Sequence, residues 1–548
     1  MSSDSQKLVP SPPRRVAIVG GGISGIACSW ELRKHNCTVD IYEADSRLGG
    51  HAHSVTFEGD QQRVDVDTGF IAMEEATYPR FNSFLEELGV KTIPTDMSFG
   101  VSTADGAFEW GSYSISSFVG KVSHLLSPWF WRLVFDVVRF SLFAQDILDE
   151  DQEALYSATS YKKCSNKEKH ILGDDHPMTA DLFESIGAYL RRQRYSDQFI
   201  TYYLIPMVAA PWCIDPDEFA RSFPAKSLIQ FMLDHGLLDT VIKTLRWRSF
   251  RNGSKTYVDA FQRSLPPRHQ LHLSTPVQKV TRAEGGTILE FSKHPQKTYD
   301  HVVLAVNANQ ALHLLGDEAT SLERKILSCF KTSKNICYLH SDTSFLPKRP
   351  SARVAWNCFL GRSNDGTSTL TKHTTLQKAP FEKERSSPSH SSICLTFDMN
   401  KLQSIPFPGE PGSPGRVLVS MNPLRIPRSL QSSHVYHHPL ISAESIHMAA
   451  RLHTINGVAG VTFAGAWMGF GFHEDGFVAG TQAARVLMMG GEGWRGHDDT
   501  RTLDVVGAGT MAKNKYTRRG FVKPVVRLWI RLVQLLLLIF EDIIAMMG

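Results

Sequence analysis

Residues able to do chemistry gather at the two ends of this chain. Near the C-terminal end stands FAGAWMGFGFHEDG, Phe463 to Gly476, in which His473, Glu474 and Asp475 follow one another among glycines and aromatics. An imidazole and a carboxylate beside an apolar wall are candidate proton acceptors. The same run at a turn can instead satisfy helix amides or bind cofactor hydroxyls. Near the N-terminal end, Gly20, Gly22 and Gly25 make G-x-G-x-x-G within VGGGISG. In that pattern the first glycine allows a tight turn and the second lets the backbone approach a pyrophosphate. The third lets a helix pack closely on a sheet. Ile23 and Ser24 open the helix, whose N-terminal amides and dipole favour phosphate.

These residues need particular elements to hold them. Val16-Ala17-Ile18-Val19 is a short β-branched run that reads as a buried parallel strand. A helix then continues to about Lys34. Cys37 to Tyr42 reads as a second strand and ends in Glu43, 23 positions after Gly20, where an acid can grip ribose hydroxyls. The glycine pattern alone is weak. Strand before, helix after and acid at the right distance together point to a dinucleotide. His272 to Val280, including Val277, and His301 to Val306 read as strands returning to this domain. Val461 to Gly465 is a strand ending in glycine, and Gly476 is expected to open a small-residue helix carrying Phe477.

Composition narrows the class. The chain has 548 residues, 42% apolar, with a net charge of +4, which gives no argument for nucleic acid. Eight cysteines are scattered without a C-x-x-C pair, so neither a metal site nor a disulfide framework is read. The first residues lack the apolar core of a signal peptide and read as a disordered leader. Residues 77–90 and 178–250 look helical, with Ile205 to Trp212 as an irregular apolar insert. Residues 160–176 read as a loop and 362–392 as a disordered insertion.

Beyond Glu43 comes ADSRLGG, Ala44 to Gly50. Arg47 followed by Gly49 and Gly50 resembles the flavin amine-oxidase group, where this Arg and Gly pair lie against the FAD diphosphate. Further pieces run in order from about 15 to 485: VDVDTGF, DMSFGVS, FEWGS, LIPMVAAPW, GSKTYV, HHP and GFGFHEDG among them. With them the chain resembles the flavin amine-oxidase-like proteins associated with cyclopropane fatty-acid synthesis. These are stand-alone bacterial and fungal proteins, similar also to the N-terminal flavin domain of plant cyclopropane fatty-acid synthases. Departures stand at Met73-Glu74, at Asn307 and at Trp467, where the family tends to have Phe-Asn, His and Tyr.

The resemblance implies an α/β Rossmann-type FAD-binding domain of the glutathione-reductase-like class, assembled from residues 15–90, 249–312 and 455–490. A substrate domain would fill 91–248 and 313–454, after a leader at 1–14 and before a linker and tail at 491–548. FAD would be non-covalent, since no cysteine lies in 463–485. Gly465, Gly476 and Phe477 would join Val277 and the N-terminal set as cofactor-binding residues. His473 and Glu474 are then candidate bases, and Trp467, with Trp212, a candidate wall of the flavin site. The expected reaction is removal of hydride from an apolar, acyl-chain or lipid-like substrate. An amine or secondary-metabolite oxidase is the first alternative. An FAD-binding accessory to a lipid methyltransferase is the second. Finally, Lys513, Lys515, Arg518, Arg519, Lys523, Arg527 and Arg531 precede or punctuate an apolar tail too short to span a bilayer. It reads as a basic amphipathic helix that places the protein peripherally on the cytoplasmic side of a membrane.

Overall fold

The computed structural model describes residues 13–488 except 60–61, 104–105, 107, 149–183, 240–245 and 362–391, together with 526–537. The expected leader, the polar loop at 160–176 and the insertion at 362–392 therefore lie wholly or almost wholly outside the described residues.

The strand Arg14–Val19 is the centre of a five-stranded sheet. In order across the sheet stand His269–His272, Cys37–Tyr42, Arg14–Val19, His301–Leu304 and Val461–Phe463. All four pairings are parallel. Parallel strands need both faces covered, and alternate side chains do this. Val16 and Ile18 face a core shared with Ile26, Phe261 and Ala483, while Ala17 and Val19 face one built with Val280, Leu289 and Leu315. The first face is closed by two helices, Ile23–Leu32 and His473–Met488. The second is closed by a three-stranded antiparallel sheet containing Val277–Ala283 and by the helix Ala308–Leu315. Sheet strands thus come from three distant stretches of sequence.

Beyond the parallel sheet lies a seven-stranded mixed sheet, running from Leu430–Leu440 at one edge through Lys331–His340 to Phe99–Thr103 and Glu109–Gly111 at the other. Helices including Pro128–Phe143, Ile186–Arg192 and Ala225–Asp234 pack over it in the largest apolar core.

Three stretches differ from the sequence reading. His272 to Val280 is not one strand: His269–His272 ends in the parallel sheet, and Val277–Ala283 belongs to the antiparallel one. The insert Ile205 to Trp212 is helical: a π turn at Ile200–Leu204, an α segment at Ile205–Ala209 and a 3-10 turn at Ala210–Trp212. Pro206 has no N–H for the carbonyl of Tyr202 four residues back. That carbonyl instead accepts from Trp110 Nε1 at 2.7 Å, so the proline is absorbed without an orphaned acceptor. The last long helix begins at His473, one turn before Gly476. Asp475 carboxylate Oδ2 accepts from the amides of Phe470 and Phe472, which folds the preceding loop into a first turn.

Candidate functional site: a dinucleotide cradle opening into an apolar chamber

One cavity of about 1480 Å³ begins at the glycine motif and runs between the two sheets. Single-ligand sites typically occupy roughly 300–1,000 Å³, so this space can hold a large cofactor and a substrate together.

Its first part is a cradle. Gly20 has φ +107°, and a Cβ there would lie 2.4 Å from the carbonyl oxygen of Ala305. Gly22 is the N-cap of the helix Ile23–Leu32, with no side chain capping that terminus and no acid in its first turn. A Cβ on Gly22 would meet no protein atom within 4 Å, because it would point into the cavity. Ile23, Ser24, Gly49 and Gly50 complete this end, and Val277 lines it from the antiparallel sheet. Glu43 also lines the cavity, with its Oε2 accepting from the Gly21 amide at 2.6 Å and its Oε1 from Asp45 at 2.9 Å. An open helix terminus over bare glycines, with an acid at the end of the second strand, matches the donors and the shape that an adenine dinucleotide needs.

Four residues of the expected cofactor set stand behind the cradle rather than in its wall. Gly25 permits contact between helix and strand, since a Cβ would sit 2.0 Å from the Gly20 carbonyl oxygen. Arg47 braces the turn beneath the glycine pair by donating to the carbonyls of Leu48, Gly50 and Ala52. Gly476 lets the two long helices meet: its Cβ would lie 2.6 Å from Ile23 Cγ2. Phe477 likewise points away from the cavity, into a cluster with Phe81 and Phe84. Gly465 does line the cavity, and the indole of Trp467 fills the space a Cβ would need.

The three candidate catalytic residues part company. His473 faces the cavity. Its ring is stacked on Phe70 at 3.8 Å and its Nε2 is 2.6 Å from the Tyr257 hydroxyl. Burial, helped by the nearby His51, holds this imidazole well below its ordinary pKa and therefore neutral. Glu474 instead turns toward the helix Pro79–Glu87 and accepts from the amides of Arg80 and Phe81 at 3.0 and 2.9 Å. Its carboxylate is a helix cap, away from the cavity wall. Trp467 is buried beside Phe330 and donates its indole N–H to the Val306 carbonyl at 2.9 Å, so it supports the cradle from behind. Trp212 is core as well, donating to the Phe470 carbonyl at 2.7 Å. His340 bonds Ser420 inside the second sheet.

Sequence reasoning did not single out His51, His437 and His438 as site residues, yet all three line the middle of the cavity. Desolvation pushes His51 down to about 4 and His438 to about 3, with neighbouring imidazoles adding to the effect. His51 Nε2 is buried with no protein partner. The centre is thus bordered by the neutral imidazoles of His51, His438 and His473, which can hydrogen-bond to a polar ring. The HHP motif carried this signal, but its strand pairing alone brings it opposite the glycine loop.

Past His473 the chamber becomes apolar. Phe99, Trp110, Phe118, Val137, Met207 and Phe231 contribute to its wall, drawn from the second sheet and its helices. Asp96 and Glu74 are the carboxylates that reach this part. Asp96 accepts from the amide and hydroxyl of Ser98, and Glu74 from the amides of Ala76 and Thr77. Among the described residues no cluster of His, Cys, Asp or Glu is arranged to hold a metal.

Comparison with known proteins agrees with this geometry. The family model described as flavin containing amine oxidoreductase matches residues 23–488. Protoporphyrinogen oxidase 2 of Arabidopsis thaliana is 31% identical over 130 residues, 22% of this chain and 25% of that protein. Prenylcysteine oxidase 1 of Mus musculus is 24% identical over 205 residues, 36% of this chain and 38% of that protein. These alignments span well under half of either relative's length. Among solved structures, putrescine oxidase bound to putrescine superposes with a TM-score of 0.55 at 14% identity, covering 87% of this chain and 99% of that one. A fatty acid isomerase from P. acnes that produces CLA gives 0.54 at 13% identity, covering 88% and 99%. At such identities the shared property is the fold.

Proposed function

The chain belongs to the family of flavin containing amine oxidoreductases, and we propose that it is the member that removes hydride from an apolar, acyl-chain or lipid-like substrate. FAD, held non-covalently in the cradle, supplies the hydride acceptor. The chain's own residues then bind, orient and exclude water. Gly22, Gly49 and Gly50 would admit the diphosphate, Glu43 would hold the ribose hydroxyls, and the helix terminus at Ile23 and Ser24 would favour the negative charge. His51, His438 and His473 are uncharged donors or acceptors at the inner end, fixed by burial, stacking and the Tyr257 hydroxyl.

One observation carries the substrate reading: the chamber beyond His473 is walled by large apolar and aromatic side chains from at least four separate elements. Such a chamber desolvates a hydrocarbon and aligns it by shape, with little else to grip it. The names of the relatives, for oxidation of prenylcysteine and protoporphyrinogen, support a bulky apolar substrate. The resemblance to proteins associated with cyclopropane fatty-acid synthesis supports an acyl chain in particular, with a lipid methyltransferase as partner. A second reading, oxidation of an amine, is favoured by Asp96 and Glu74, two carboxylates that could receive an ammonium group.

Anaerobic mixing separates these readings. Purified yellow protein is exposed to detergent-dispersed membrane lipid and, separately, to a set of primary and secondary amines. Bleaching of the flavin band by lipid alone is the expected result. Bleaching by amines alone would replace the acyl-chain reading with the second. A flavin bleached by neither, in a protein that co-purifies with a methyltransferase, would replace catalysis with an accessory role.

A further inference from the structure

The cavity rim and the tail helix both carry large apolar side chains that stand exposed. Of the large apolar side chains that stand exposed, one group lies between Tyr113 and Val138 and another between Val526 and Leu536. In the first group Tyr113 and Ile115 line the cavity and yet are 71% and 84% exposed, so they stand on its mouth. The turn Val122–Leu126 buries none of its side chains, and Leu126 is 87% exposed. The helix Pro128–Phe143 follows, presenting Trp131, Val134, Phe135, Val138 and Leu142 at i, i+3, i+4, i+7 and i+11, a single helical face. Trp131 and Val138 on that face are exposed, and the others are half-buried.

The tail helix, 526–537, is seated at the far end of the same helix. Arg527 donates to the Leu142 carbonyl and to Asp146, each at 2.8 Å, and both Arg527 and Arg531 lie over the Phe143 ring. The residues turned inward are Arg527, Ile530, Gln534 and Leu537. Leu528, Trp529, Leu532, Val533, Leu535 and Leu536 face outward. A helix docked on a water-soluble surface does the opposite, burying its apolar stripe. Here Arg527 and Gln534 are anchored together with Ile530 and Leu537, while most of the helix's apolar side chains are presented.

Charge selects the occupant. No Asp or Glu occurs in 110–135 or in 512–540, whereas Lys121 and six basic tail residues besides the inward Arg527 fall in those stretches; Arg132 is spent on the buried Asp136. Acid-free, basic segments with exposed tryptophans are the composition that settles at an anionic lipid interface. Among the described residues no helix is long and apolar enough to cross a membrane.

We propose that the rim at 113–138 and the tail helix form one lipid-facing surface that seats on an anionic bilayer, so that the apolar substrate passes from the membrane into the chamber past Tyr113 and Ile115. The route rests on the acyl-chain reading above; the seating does not. The rim contributes to binding alongside the tail, which acts as the anchor at the opposite end of Pro128–Phe143.

Flotation of the full-length holoprotein with phosphatidylcholine vesicles, with and without phosphatidylglycerol, tests this. Two variants are compared: the tail triple Leu528→Glu/Trp529→Glu/Leu532→Glu and the rim pair Val122→Glu/Leu126→Glu. All five positions are exposed and none lines the cavity. The wild type is expected to float with the anionic vesicles, and each variant to lose roughly tenfold or more of that binding. Both variants should keep their yellow colour and their reduction by detergent-dispersed substrate. A wild type that stays behind overturns the proposal, as does a rim pair that floats like wild type. So does a tail triple that dissolves a dimer seen by sedimentation without changing flotation, because a second copy would then cover the face. Intact flotation with no bleaching by lipid would sink the acyl-chain reading alone.

Discussion

Gly22→Ala separates what the cradle does for the cofactor from what it does for the fold. At Gly22 the backbone has φ −73° and ψ −176°, extended values open to any residue. A methyl there touches no protein atom within 4 Å. The apoprotein should therefore tolerate the change, with stability unchanged or raised by roughly 0.4–1 kcal/mol through the less flexible unfolded chain. The methyl projects into the cavity at the helix terminus, where the diphosphate must approach the backbone. Overpacking of that order costs about 1–3 kcal/mol, which is roughly a 5- to 150-fold weaker Kd for FAD. Gly25→Ala, three residues on, should behave in the opposite way. Its Cβ falls 2.0 Å from the Gly20 carbonyl oxygen, a backbone atom that cannot move without moving the strand. That variant should lose stability before any question of cofactor arises. Chemical denaturation of the apoproteins and titration with FAD, followed by quenching of its fluorescence, give both numbers. Loss of apo stability in Gly22→Ala, or an unchanged FAD affinity, would refute the reasoning.

Other expectations follow from single contacts. Glu474→Ala removes the acceptor of two first-turn amides, so urea denaturation should show a loss of about 1–2 kcal/mol. Flavin reduction by substrate should change less than twofold, since the carboxylate caps a helix outside the cavity. Tyr257→Phe leaves a buried imidazole nitrogen without its partner, costing about 1–3 kcal/mol of stability, and flavin reduction should slow while FAD stays bound. Because burial keeps His473 neutral far below its ordinary range, the reduction rate should show no ionisation of His473 near pH 6.5. A step there that vanishes in His473→Gln would contradict this. Asp475 is pushed up to about 7, first by desolvation. The folded state then binds its proton at a pH where the unfolded state has released it, so this contribution to stability falls as pH rises from about 4 to 7. Asp475→Asn should flatten the urea midpoint against pH across that window.

How much of this could be read in the sequence depends on the range of the interactions. The strand Arg14–Val19, the helix after it and Glu43 are local, and each carries its own pattern of β-branching, glycine spacing and acid position. The run His473-Glu474-Asp475 shows where local reading stops. Successive residues at a helix start are about 100° apart around the axis, so the three side chains leave in different directions. His473 reaches the cavity, Glu474 reaches a helix nearly 400 residues earlier, and Asp475 folds back onto its own loop. Nothing in the string HED distinguishes them. Trp212 and Trp467 posed the same difficulty. Each indole is spent on a carbonyl, Phe470 and Val306, that only the tertiary fold brings near. The chamber wall is assembled from stretches near 97–118, 134–138, 203–213 and 231–237, apolar runs that by periodicity alone look like ordinary core.

The most direct measurement follows the fate of the hydrogens. Membrane lipid is reduced in number to a defined acyl-chain mixture, mixed anaerobically with stoichiometric holoprotein, and analysed by mass spectrometry before and after the flavin bleaches. The expected result is an acyl species lighter by two hydrogens, formed in equal amount to the flavin reduced. An unchanged acyl mixture, with the flavin bleached only by an amine that is itself oxidised, would contradict the account.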